Sequence, residues 1–113
     1  MISPRRWTRA LLIAEFSEAG YDAVGASRVL TALRYSADDP ERGPIRAILL
    51  EDHALDPEGR ALLGELYGKH PAALKIVVTG AVATPPGGPW DEIIRRPVSI
   101  GEIVTRVGAL LRR

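Results

Sequence analysis

Two adjacent carboxylates, Glu51 and Asp52, end the apolar run Ile45-Arg46-Ala47-Ile48-Leu49-Leu50. A hydroxyl, Thr79, ends a second run, Leu74-Lys75-Ile76-Val77-Val78-Thr79, and the cations Arg95 and Arg96 stand just before Pro97. An acid, a hydroxyl and a guanidinium near successive strand ends are the residues to examine for chemistry of any kind. Each also has a plainer reading: a strand end meeting water, ordinary β-propensity at Thr79, and a solvated arginine pair. Thr79-Gly80-Ala81 ahead of a Pro/Gly loop could cradle a phosphate through backbone N–H groups, but no P-loop lysine accompanies it. His53 and His70 have no spacing that makes a metal site with each other or with the carboxylates, so no metal is expected. No Ser/His/Asp nucleophile set can be assembled, and no catalytic residue is assigned.

Around these residues the chain has the make-up of one globular domain spanning 1–113. It has 113 residues, 46% apolar and 26% charged, which is too apolar for disorder. The absence of cysteine removes disulfides, thiolate metal sites and thiol nucleophiles, and fits a reducing cytoplasm. A net charge of +1 argues for neither nucleic acid nor an anionic membrane. Leu11-Leu12-Ile13-Ala14 is cut by Glu15, so neither a signal peptide nor a spanning helix is predicted.

The elements that must position the site follow from period and punctuation. Ser3-Pro4 reads as a helix start, with Trp7, Leu11 and Ala14 on one stripe, Leu12, Phe16 and Ala19 on the next, and Gly20 as the stop. Tyr21–Ala26 reads as a short strand, and Ser27 to about Tyr35 as a second helix. Ile45–Leu50 reads as a strand covered on both faces, because its apolar run does not alternate. Asp56-Pro57-Glu58 opens a third helix, and Leu74–Thr79 is the clearest strand. Gly80–Pro89 holds three Gly and three Pro in ten residues and cannot be regular structure. Ile93-Ile94 marks a short strand, and Ser99-Ile100-Gly101-Glu102 a capping box before a final amphipathic helix. Trp7 and Trp90 are expected to be partly buried against the sheet. Strands alternating with helices imply a doubly wound α/β fold with a parallel sheet, whose ligands sit at the carboxyl ends of the strands.

Nearly the whole chain resembles a response-regulator receiver domain of the CheY-like, flavodoxin-like type. The pieces, in order, are Glu18 to Tyr21, Ala47 to Glu51, Gly59 with Leu62-Leu63, His70-Pro71, Val77 to Ala81, and Arg96-Pro97 with Ser99. The resemblance puts Glu51 at the phosphoacceptor position and Thr79 at the switch position. It puts Arg96 at the lysine position, makes Pro97 the candidate for a cis peptide, and leaves Ser3 and Pro4 at the acidic-pair positions. Ser3 and Pro4 supply no carboxylate for Mg²⁺, so the charge developing on a transferring phosphoryl group lacks its stabiliser. Asp52 is not expected to replace Glu51, because neighbouring strand residues face opposite ways. A Glu51–Arg96 ion pair is expected to imitate the phosphorylated arrangement.

Two architectural departures are also expected. Only Met1-Ile2 remains for the central first strand, which is truncated or missing; the true chain starts upstream, or another segment fills the slot. The fourth helix is reduced to a loop. The functional expectation is an atypical, stand-alone pseudo-receiver in two-component, phosphorelay-type signal transduction. It is cytoplasmic, is not an enzyme, is not phosphorylated and uses no cofactor. It acts through contact with a protein partner, and exposed strand edges leave a homodimer open. The alternative is a small flavodoxin-like binding protein or enzyme using the Gly80–Pro89 loop for an anionic ligand.

Overall fold

The computed structural model describes residues 1–113. Its sheet has three parallel strands in the order β1 (Ala47–Glu51), β2 (Leu74–Thr79) and β3 (Glu92–Arg95), with Leu50 opposite Val77 and Val78 opposite Ile94. The helices are α1 (Arg6–Glu18), α2 (Val29–Ala32), α3 (Pro57–Lys69) and α4 (Ile100–Leu111). Helices α1 and α4 pack together on one face of the sheet, and α2 and α3 on the other. This is the expected doubly wound arrangement, and residues 80–91 form a loop where a fourth helix would stand.

Strand parity builds the two cores. Ile48, Leu50 and Val77 point to the α2/α3 side, where Val29, Leu63 and Leu66 meet them. Leu49, Ile76 and Val78 point the other way, onto Leu12, Phe16, Ile103 and Val107. Both faces of β1 are therefore covered, which is why its sequence does not alternate.

Ile2 enters the central position of the sheet. Ile2 makes parallel bridges to both Ala26 and Leu50. Its N–H donates to the Leu49 carbonyl at 2.8 Å, and its own carbonyl accepts from Glu51 N–H at 2.9 Å. One residue thus does the work of a strand and places Ser3 at the rim. Tyr21–Ala26 does not form the expected strand, because with so short a neighbour only Ala26 has a ladder partner.

The helix boundaries also differ from expectation. Ser3-Pro4 does not cap α1; Arg5 is its N-cap, and Ser3 Oγ accepts the Arg5 N–H at 3.2 Å. Only Leu12 and Phe16 of α1 are buried; Trp7 is 77% exposed and Leu11 54%, so the Trp7 stripe faces solvent instead of the sheet. The second helix shrinks to the single turn α2, with Arg28 and not Ser27 at its N-cap. A lone turn has little stability of its own and is held by burying Val29 and Ala32. Helix α3 starts as expected, Asp56 accepting the Gly59 N–H at 2.7 Å. At α4, Ser99 Oγ accepts the Glu102 N–H at 3.0 Å, but the Glu102 carboxylate takes the Ser99 hydroxyl and leaves the backbone half of the capping box unmade.

Candidate functional site

The carboxyl ends of Ile2, β1, β2 and β3 bring Ser3, Glu51, Asp52, Thr79 and Arg96 to one rim of the sheet, and Arg5 and His53 join them. Glu51 is the last residue of β1 and its side chain is only 7% exposed. Its Oε2 accepts the Ser3 hydroxyl at 3.0 Å, and its Oε1 lies 3.1 Å from Arg5 Nε and 2.9 Å from His53 Nδ1. A buried carboxylate persists only when its oxygens are answered in this way. His53 Nδ1 also lies 3.0 Å from Arg5 Nη2, but one ring nitrogen cannot donate and accept at once. The charge-assisted bond to Glu51 makes Nδ1–H the donor, and Arg5 then acts through its ion pair with Glu51.

Asp52 takes Arg96, the partner expected of Glu51, and Thr79 with it. Its Oδ2 accepts the buried Thr79 hydroxyl at 3.0 Å, and its Oδ1 accepts Arg96 Nη2 at 2.8 Å. Arg96 Nη1 is 4.0 Å from Glu51 Oε1, makes no hydrogen bond and is buried. The main partner of Arg96 is thus Asp52, with Glu51 at the margin of contact. The parity argument against Asp52 fails because β1 ends at Glu51: Asp52 opens a 3₁₀ turn, Asp52–Ala54, in which strand alternation no longer applies. Burial pushes the Asp52 carboxyl upward. The hydrogen bonds from Arg96 and Thr79, with the charges of Arg96 and His53, outweigh it and leave the net shift downward.

Arg96 is placed by β3 and by its own backbone, its N–H donating to the Thr79 carbonyl at 2.8 Å. The Arg96–Pro97 peptide is cis. Arg95, one residue earlier, faces outward and ties the Gly80 and Ala83 carbonyls at 3.2 and 2.9 Å. Ser3 is fully buried, whereas Pro4 is exposed and contributes no polar group. Sequence reasoning missed Arg5 and His53. The same turn that redirects Asp52 also returns His53, two residues on, to Glu51.

The tertiary structure also corrects the expectation about His53 and metals. Ligand-type atoms of Glu51, Asp52 and His53 lie within 4.8 Å of one another. A divalent cation, which the receiver resemblance implies at this rim, would need the same oxygens that Arg5 and Arg96 already engage at 3.1 and 2.8 Å. The Ser3 hydroxyl spends its proton on Glu51, and two guanidinium charges would stand beside the ion. The residues present do not fit Mg²⁺.

No protein-family model matches the chain, and no curated protein does. Solved structures match it over nearly its whole length. NtrX from Brucella abortus, solved in complex with ADP, superposes with a TM-score of 0.69 at 20% identity, covering 98% of this chain and 25% of that one. The chain therefore spans about a quarter of the length of NtrX. A CheY-like response regulator receiver domain protein from Methanospirillum hungatei JF-1 gives 0.65 at 17% identity, covering 98% and 93%. The signal receiver domain of a LuxO repressor protein from Vibrio parahaemolyticus gives 0.68 at 14% identity, covering 99% and 87%. The strand order, the rim residues and these superpositions agree: the chain has the fold of a response-regulator receiver domain.

Proposed function

We propose that this chain is a receiver-like module of two-component signal transduction that works without phosphorylation, by contact with a protein partner. The observation that carries the reading is the Thr79–Asp52–Arg96 linkage, with Arg5 on Glu51 beside it. In this reading Asp52 is occupied on one oxygen by the Thr79 hydroxyl and on the other by a permanent cation, Arg96, where phosphoryl chemistry would need a metal and a free acceptor oxygen. Arg96 serves as the lysine equivalent, Glu51 as the unreactive acceptor equivalent and Thr79 as a switch residue with no second state to move to. Trp7 and Leu11, one turn apart on the outer side of α1, offer the exposed aromatic and aliphatic surface that partner contacts favour. No helix is long and apolar enough to cross a membrane.

Incubation with acetyl phosphate and Mg²⁺, followed by intact-mass measurement, tests the reading. The mass should not change. A single phosphoryl addition mapped to Glu51 or Asp52 would overturn it.

A further inference from the structure

Helix α1 carries its charges against its own dipole. It begins on Arg6 and ends on Glu18, with Glu15 also in the last turn; its first turn holds no acid and its last turn no base. The N-terminus of a helix is the positive end of its dipole, so each of these charges opposes the helix that carries it. Nothing within the chain compensates. Arg5 pairs with Glu51 and Arg9 donates to the Ser3 carbonyl, but Arg6, Glu15 and Glu18 are exposed and enter no ion pair.

The same helix shows its largest apolar side chains to solvent. Trp7, Leu11 and Ala14 follow at helical spacing on the side away from buried Leu12 and Phe16, and all three are exposed. Glu18 continues the stripe, four residues beyond Ala14. The outer side of α1 is thus an apolar strip with a positive head and a negative tail, about 18 Å apart along the helix.

We propose that this strip is a contact between two copies of the chain, with their α1 helices antiparallel about a twofold axis near Leu11. The antiparallel setting answers both ends at once, because Glu18 of each copy comes to the first turn of the other helix, where Arg6 and the free N–H groups stand. A parallel setting would place Arg6 against Arg6 and Glu18 against Glu18. With Leu11 at the axis, Trp7 of one copy lies over the small Ala14 of the other, and symmetry repeats the contact. Charges that oppose the lone helix become complementary in the pair. One helix pair covers less than the roughly 1,200 Å² of stable complexes, so the dimer is weak and forms on the order of 100 µM. This inference rests on the reading of the chain as a module that works by protein contact, and it names what covers α1. The phosphorylation assay tests the rim and the experiment below tests this face, so either can fail alone.

Sedimentation velocity on the 113-residue protein in low salt, from about 5 to 500 µM, tests the proposal. The native chain should pass from monomer to dimer across that range. Trp7→Ala should weaken association by roughly tenfold or more, and Arg6→Glu and Glu18→Arg each by roughly tenfold. The Arg6→Glu/Glu18→Arg double variant should restore it, as should an equimolar mixture of the two single variants. At about 5 µM, where the monomer prevails, Arg6→Glu should leave Tm unchanged or raise it, because it removes a charge opposed to the dipole. Lost association with undiminished stability separates the contact from the fold. A chain that stays monomeric at about 500 µM overturns the proposal, as does a dimer indifferent to Trp7→Ala. So does a double variant as weak as either single one, which would mean a parallel pair or another surface. A monomer that binds some other protein through Trp7 overturns it as well.

Discussion

Arg96 Nη2 reaches Asp52 Oδ1 at 2.8 Å, across the carboxyl ends of two strands that are not neighbours. The bond spans β2, whose terminal Thr79 donates to the other Asp52 oxygen. Replacing Arg96 with Met should therefore raise the Asp52 pKa, as should Thr79→Val by a smaller amount. Since the Asp52 pKa lies below its ordinary 3.8, this pair stabilises the fold above that pH, and its contribution fades as pH falls through the folded pKa. Both side chains are partly exposed, so Arg96→Met should cost about 1–3 kcal/mol at pH 7 and much less in acid. Carboxyl ¹³C titration and urea unfolding at two pH values check both parts.

Glu51 is the more deeply committed acid. Glu51→Ala leaves the buried Ser3 hydroxyl without its acceptor and frees Arg5 and His53, which water can solvate, and should cost about 1–3 kcal/mol. Ser3→Ala removes one buried bond and should cost about 1–2 kcal/mol. A double-mutant cycle in urea should show strong coupling between the two positions. Additive effects would mean that the Ser3–Glu51 bond is not made in solution.

Two buried bases should make the protein more stable as pH rises. Burial lowers the Met1 ammonium to about 6, and burial with the nearby charge of Lys69 lowers buried His70 below its ordinary 6.5. The unfolded chain then binds more protons than the folded one, so unfolding free energy climbs with pH. For Met1 the climb lies between about 6 and 8 and is on the order of 2 kcal/mol; the His70 part lies lower, ending near 6.5. N-terminal acetylation should flatten the 6–8 window and leave the lower one. A stability curve unchanged by acetylation would remove Met1 from the account.

On α3, two glycines should respond in opposite directions. A Cβ on Gly59 would stand 2.6 Å from the Ala54 carbonyl oxygen, so Gly59→Ala should destabilise by about 1–3 kcal/mol. Gly64 has open space around it, and Gly64→Ala should stabilise by about 0.5–1 kcal/mol. Trp7→Ala should be nearly neutral, within about 0.5 kcal/mol, since Trp7 lies in solvent. Trp90→Ala should cost more, because its indole packs edge-on to Tyr67 and its Nε1–H bonds the Pro86 carbonyl at 2.7 Å. Thermal unfolding of the four variants checks the set.

Millimolar Mg²⁺ should leave Tm and the side-chain resonances of Glu51 and Asp52 unchanged. A ligand that bound the rim would stabilise the fold by mass action, so a rise in Tm with added Mg²⁺ would show that Arg5 and Arg96 yield the carboxylates to the ion.

Much of the fold could be read along the chain because it rests on local rules. Apolar runs marked Leu74–Thr79 and the doubly covered β1, and the Pro/Gly run of 80–89 ruled out a helix there. The terminal residues of those strands were legible for the same reason, since a parallel sheet gathers its carboxyl ends. Where the rule was not local, reading failed. Trp7 was set on an inward stripe, but α1 needs only Leu12 and Phe16 to cover its part of the sheet. Tyr21–Ala26 has strand-like residues and no strand to pair with.

By itself, then, the sequence determined part of the rim: an acid pair, a hydroxyl and an arginine, with no carboxylate at Ser3 or Pro4, but not Arg5 or His53. Tertiary structure alone decided how they pair. The turn after Glu51 breaks strand parity, swings Asp52 onto Thr79 and Arg96, and leaves Glu51 to Ser3, Arg5 and His53. It also decided that Ile2 bridges Ala26 and Leu50 at the centre of the sheet. Hydrogen-bond partners are chosen by distance in space, and spacing along the chain carries that information only while the backbone stays regular.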